Sequence, residues 1–212
     1  MGFLDRLRLS RGGGPAPELI PALSSEVVEV VDRLVRLGFH RPEDVLQMVL
    51  EAAEDESEAV QPSTVAAVVE RAWSERLREQ RTWPAITDAD RLAAAFAELD
   101  ADGILARMNF TCCQTCALEA IADEVPPDES RRGFVYFHGQ DAERLLDPDP
   151  SLYLGYGEFG AVDAASHDAG MLAVAEQVRD TVDRHGLHME WDGSIARRLC
   201  VTGLRWQRRL PG

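Results

Sequence analysis

Three of the four cysteines of this 212-residue chain lie within five positions, in the stretch Asn109-Phe110-Thr111-Cys112-Cys113-Gln114-Thr115-Cys116. Thr111 with Gln114 three residues later is the pattern of a capping box. It predicts a helix from a Thr111 N-cap to Asp123, with Ala117, Leu118, Ala120 and Ile121 as its apolar stripe. On that helix Cys112 and Cys116 share a face at i, i+4, and Cys113 neighbours Cys116 at i, i+3. Unpaired backbone N–H groups in a first turn favour thiolate over thiol. Cys113-Gln114-Thr115-Cys116 is therefore a C-x-x-C placed where dithiol redox chemistry wants it.

Three readings of the cluster stay open. Thioredoxin-like dithiols follow a strand within a βαβ unit, and Gly103 to Asn109 is too short a stretch to establish that strand. Three thiolates with His138 complete a Cys3His zinc set, although adjacent cysteines are awkward ligands and no second C-x-x-C occurs. Free cysteine is also among the most buried residue types, so the three can simply pack a helix against a sheet. One C-x-x-C is a weak motif, and packing is the preferred reading. No cofactor and no metal is assigned. His138 ends an apolar run and is followed by Gln140 and Asp141. As a partner to the cysteines it is a thiolate partner, a metal ligand or a general base; otherwise it is a hydrogen-bonded strand-end residue. The candidate site is Cys112, Cys113, Cys116, His138, Gln140 and Asp141.

Composition removes several chemistries. All 22 basic residues are arginine, which excludes a Schiff-base lysine and a P-loop lysine. A formal charge of −15 opposes nucleic-acid binding, which depends on neutralising phosphates. No stretch approaches the ~20 apolar residues of a membrane span. Met1 to Arg11 lacks the apolar core of a secretory signal, and the crowded cysteines do not form a disulfide framework. These features together predict a cytoplasmic protein. No G-x-S-x-G, phosphate loop or dinucleotide fingerprint occurs.

The elements that must position the site follow from periodicity and caps. Residues 1–23 read as a flexible arm and linker, with Phe3, Leu4 and Leu7 among arginines and then Gly12-Gly13-Gly14-Pro15. Helices are predicted from Ser24/Ser25 to Gly38, from Pro42 into an acidic run at Glu51–Glu58, from Pro62 to Trp83, and from Thr87 to Gly103. Gly133–His138 is a strand, Ala142–Leu146 a short helix capped by Asp141, and Leu152–Phe159 a strand whose glycines at 155, 157 and 160 mark either a bulge or close approach. A helix covers Ser166–His185, and Leu187–Trp191 with Leu199–Trp206 forms a hairpin about Asp192-Gly193. The order predicts an α+β fold: a helical region over 24–107, then a helix–β–β–helix–β–β unit over 108–212 with a small antiparallel sheet. Arg205, Arg208 and Arg209 form a local basic patch read as an intramolecular or subunit contact.

The chain resembles an uncharacterised bacterial domain-of-unknown-function family known mainly from high-GC actinobacteria. The resemblance is carried by Trp83-Pro-Ala-Ile-Thr-Asp88, Asn109-Phe-Thr-Cys-Cys-Gln-Thr-Cys116, Phe137-His-Gly-Gln-Asp141, Trp191-Asp-Gly193 and Trp206-Gln-Arg-Arg209. It covers most of residues 24–209, with Ala117 standing where glycine is expected, and implies a relationship but no activity. The preferred functional reading is a non-catalytic module that binds a protein partner or a small ligand, with Trp191, Trp206, Tyr153 and Tyr156 as aromatic contacts. The alternative is a thiol-redox or zinc-dependent protein built on the cysteines and His138.

Overall fold

A computed structural model describes residues 23–55 and 60–212. Residues 1–22 of the arm and linker expected over 1–23, and Glu56 and Glu58 of the acidic run, lie outside the described residues. Four helices come first. Helix α1 (Ser25–Leu37) starts where Ser24 Oγ accepts the Val27 N–H at 3.2 Å and stops at Gly38, whose φ of 74° suits a residue without Cβ. Helix α2 (Pro42–Asp55) and helix α3 (Pro62–Gln80) each open on proline, which needs no N–H in a first turn. Helix α4 (Asp88–Ala101) is opened by a reciprocal capping box between Thr87 and Asp90.

Strand β1 (Ile104–Arg107) comes next, then helix α5 (Gln114–Ala120), which tightens into a 3-10 turn at Ile121–Glu124. Strand β2 (Gly133–Tyr136), helix α6 (Gly139–Glu143) and strand β3 (Ser151–Glu158) follow. Helix α7 (Ala164–Arg184), strand β4 (His188–Glu190) and strand β5 (Leu199–Thr202) complete the order. The class is α+β, and the described strands form one sheet in the order β1-β2-β3-β5-β4. The sheet is mixed rather than wholly antiparallel, because β1 runs parallel to β2. Four residues, Ile-Leu-Ala-Arg, directly after a helix stop, carry too little alternation to announce β1 as a strand.

Strand β3 spans both halves of the sheet: Ser151–Leu154 pair with β5 and Gly155–Glu158 with β2. Its glycines are places of close approach. A Cβ on Gly157 would stand 2.3 Å from the Phe134 ring and one on Gly155 2.7 Å from the Tyr136 ring. The β4–β5 hairpin is present, with its loop over residues 191–198.

Alternation along β1 and β2 splits the packing between two faces. Ile104, Ala106, Val135 and Phe137 join Leu92, Phe96, Val178 and Val182 in the main core under α4 and α7. Leu105, Phe134 and Tyr136 face the other way, where Ala117 and Ile121 of the α5 segment cover them. Helices α1–α3 close a separate valine-rich core around Val31, Val45, Val49, Val65 and Val69. The helical region read over 24–107 thus contributes to two cores, since α4 packs with the sheet. Two of the three arginines of the terminal patch make intramolecular side-chain contacts: Arg208 Nε donates to the Gly38 carbonyl at 3.0 Å, and Arg209 pairs with Asp90 at 2.5 Å, while Arg205 is exposed.

Candidate functional site

The cysteine loop crosses from the end of β1 to the start of α5. Its backbone bends sharply, with Asn109 and Thr111 at φ of 50° and 58°, a region that costs non-glycine residues energy. Phe110 N–H donates to the Phe137 carbonyl at 2.8 Å, Gly139 N–H to Thr111 O at 3.0 Å, and Gln140 N–H to Cys112 O at 3.3 Å. The loop and the Phe137–Gln140 segment therefore run side by side, stitched through main chain.

Thr111 is not the helix cap. Its hydroxyl donates to the Cys113 carbonyl at 3.2 Å, and Cys113 itself is the N-cap, without a side-chain cap bond. The left-handed backbone at Thr111 delays the helix by two residues, so the expected box between Thr111 and Gln114 does not form. Cys112 is exposed and Cys113 and Cys116 are half-buried, whereas Cys200 is buried in β5. Buried packing, the preferred sequence reading of the cluster, is corrected by this exposure.

The three sulfurs converge. Cys116 Sγ lies 3.5 Å from Cys112 Sγ and 3.6 Å from Cys113 Sγ. The nearby N–H of Cys116, then the Cys116 and Cys112 thiols, and to a smaller extent the Thr115 N–H, hold the Cys113 thiol below its ordinary pKa against the opposing effect of burial. The neighbouring sulfurs Cys112 and Cys113 push Cys116 up to about 11. The two thiols of the C-x-x-C are thus shifted in opposite directions, Cys113 toward the thiolate and Cys116 away from it.

His138, Gln140 and Asp141 occupy a neighbouring but different arrangement. His138 is buried and is the N-cap of α6, its Nδ1 accepting the Asp141 N–H at 3.2 Å. That leaves Nε2 to carry the proton toward Asp141 Oδ2, 3.1 Å away. Burial lowers the His138 pKa, against the raising effect of Asp141 and with the lowering effect of Arg198. Asp141 is buried and receives a forked pair of bonds from Arg198, at 3.0 and 2.5 Å. Arg198 also donates to the Tyr153 carbonyl at 2.9 Å. Both ring nitrogens of His138 are used within this clasp, which ties the start of α6 to the loop before β5. Sequence reasoning missed Arg198, because nothing local in Arg197-Arg198-Leu199 reports a partner 57 residues away.

Gln140 is exposed. With Cys112 it borders a groove of about 590 Å³ whose apolar side is Val30, Leu34, Leu37 and Met48. Among the described residues, the cluster of potential metal ligands is Cys112, Cys113 and Cys116 alone.

With this geometry in place, a family model for a domain of unknown function, DUF6891, matches residues 21–210. The chain belongs to the DUF6891 family. No curated protein and no solved structure matches it. Membership brings no assigned activity, so any function must be argued from the site. No described helix is long and apolar enough to cross a membrane.

Proposed function

We propose that Cys113 and Cys116 form a thiol–disulfide exchange pair, with Cys113 attacking and Cys116 resolving. The observation that carries this reading is a half-buried pair of sulfurs 3.6 Å apart within a C-x-x-C, beside the exposed Cys112. A disulfide needs about 2 Å, a closure that rotation of one side chain supplies. The setting supports it as well. Strand β1, the cysteine loop, α5 and the parallel strand β2 make a strand–helix–strand crossover, the context the sequence did not provide. The opposed pKa directions of the two thiols match the two roles.

In the exchange, the Cys113 thiolate attacks one sulfur of a substrate disulfide and the other substrate sulfur leaves as a thiolate. Cys116 then gives its proton to solvent and attacks Cys113 Sγ. The remaining substrate thiolate departs and the Cys113–Cys116 disulfide is left. The substrate gains two electrons and the pair loses them. His138 takes no part, since Asp141 occupies its ring.

The aromatic surface of a binding module has weaker support. Trp206 is buried with its indole N–H on the Leu37 carbonyl at 3.1 Å, while the Trp191 and Tyr156 polar atoms donate to the carbonyls of Ser194 and Arg197. Tyr153, 37% exposed, lies near the guanidinium groups of Arg144 and Arg198.

The test is oxidation of the reduced chain with oxidised glutathione, followed by thiol counting after denaturation. Two of the four cysteines should become one intramolecular disulfide. Cys116→Ser should instead accumulate a mixed disulfide on Cys113, and Cys113→Ser should form no Cys113–Cys116 bond. Wild-type protein whose thiols all stay free at every glutathione ratio would end this reading.

A further inference from the structure

Cys112 has no role in that pair, yet its sulfur is as close to Cys116 as that of Cys113, at 3.5 against 3.6 Å. All three ligand atoms fall within 4.8 Å of one another. A cation bonded to thiolates at about 2.3 Å sets them about 3.8 Å apart in tetrahedral geometry and about 4 Å apart in trigonal geometry. The sulfurs therefore already outline one coordination face, and small side-chain rotations complete it without moving the backbone. Resting on the exchange-pair reading, we propose that Cys112, Cys113 and Cys116 together bind one thiophilic cation, Zn2+ or Cu+, and that metal binding and disulfide formation are mutually exclusive states of these sulfurs.

Donor chemistry sets the class of ion. Three sulfur donors select soft or borderline cations and reject Mg2+ and Ca2+, which require oxygen. Among the described residues no imidazole or carboxylate joins the sulfurs. His138 in particular is held by Asp141 through both nitrogens. Cu+ is satisfied by three thiolates, whereas Zn2+ keeps a fourth position for water or an incoming group. This trithiolate differs from the Cys3His set that the sequence suggests.

Coupling to the redox pair follows from sharing ligands. An organic disulfide that oxidises the loaded site takes two electrons from Cys113 and Cys116 and leaves as two thiols. The two sulfurs bond to each other, Cys112 is protonated, and the cation is released. Three protons are taken up, one by Cys112 and two by the departing thiols. Metal thus shields the pair from exchange, and oxidation frees the metal.

The experiment titrates reduced, metal-free, full-length protein with Zn2+ against a chromogenic chelator, and with Cu+ against a Cu+-specific chelator in a separate arm. One equivalent per chain of at least one cation is expected, and the arm that shows it identifies the ion. Cys112→Ser should weaken binding at least tenfold while still forming the Cys113–Cys116 disulfide. His138→Asn should leave metal affinity within about twofold. Oxidised glutathione added to the loaded protein should release the cation in step with disulfide formation. The proposal is overturned if both cations bind no more tightly than to a Cys112/Cys113/Cys116 triple-serine variant. It is equally overturned if Cys112→Ser binds like wild type, or if metal stays bound after the disulfide forms. A wild type that binds metal but never forms the disulfide removes the exchange pair and the claimed exclusivity together, while leaving the disulfide-free trithiolate visible in the titration.

Discussion

At the scale of single residues, the same imidazole that sequence reasoning offered to the cysteines stabilises a helix start instead. His138 accepts the Asp141 N–H on Nδ1 and faces the Asp141 carboxylate with Nε2, a carboxylate that Arg198 grips from the other side. Burial is the main cause of its lowered pKa, with Asp141 opposing and Arg198 assisting. The sign of the pH effect follows. Because the folded pKa lies below the ordinary value of 6.5, the unfolded chain takes up this proton first as the medium acidifies. The contribution is complete above pH ~6.5 and declines as pH falls toward the folded pKa, by at most about 1.4 kcal/mol per pH unit. His138→Asn keeps an oxygen for the cap and removes the titrating group. Urea unfolding at pH 7.5 and pH 5.5 should show a larger loss for wild type than for the variant. Equal losses would mean that the ring titrates alike in the folded and unfolded chain.

At the scale of elements, the helices were legible because their signals are local. Ser24, Pro42, Pro62 and Thr87 mark the starts of α1–α4 in the sequence as in the structure, which adds the reciprocal bonds between Thr87 and Asp90. The sheet was legible where alternation is long, as in β3, and illegible in β1, a four-residue strand whose pairing with β2 depends on chain far downstream. Missing β1 hid the strand–helix–strand setting of the cysteines. The candidate site divided for a related reason. Capping chemistry predicted Thr111 as N-cap, but the left-handed turn at that residue is held by bonds from Gly139 and Gln140, which no local pattern reports. The close approach at the β3 glycines, by contrast, was visible in the sequence and gives a direct test. Gly157→Ala places a methyl 2.3 Å from the Phe134 ring, and that ring belongs to the layer on which α5 rests. Overpacking of this kind costs about 1–3 kcal/mol. Chemical denaturation should report that loss, and a variant as stable as wild type would show that the ring has room to move.

At the scale of the whole molecule, the final residues strap the α1–α3 core to the sheet. After Gly203 turns the chain away from β5, Trp206 enters the main core and donates its indole N–H to Leu37 at the end of α1. Its ring lies 5.8 Å from Phe39, which in turn meets Phe137 edge-on at 5.9 Å. Arg208 lies over Phe39 and bonds the Gly38 carbonyl. Leu210 packs on the valine core while its N–H reaches Gln80. Removing the indole takes out apolar volume and one buried bond at the junction of both cores, so Trp206→Ala should cost about 3–5 kcal/mol. The loss should also be uneven. Helices α1–α3 keep their own core but lose their main tie to the sheet, so hydrogen exchange should accelerate in α1–α3 peptides before it does in β2 and β3. The cysteines answer differently, because α5 is held on the opposite sheet face by Leu105, Phe134 and Tyr136. In Trp206→Ala the Cys113–Cys116 pair should therefore still close under native conditions, while the groove beside Cys112, bounded by α1, loosens. Uniform exchange across both cores, or loss of disulfide closure together with the strap, would show instead that the tail organises the molecule as one indivisible unit.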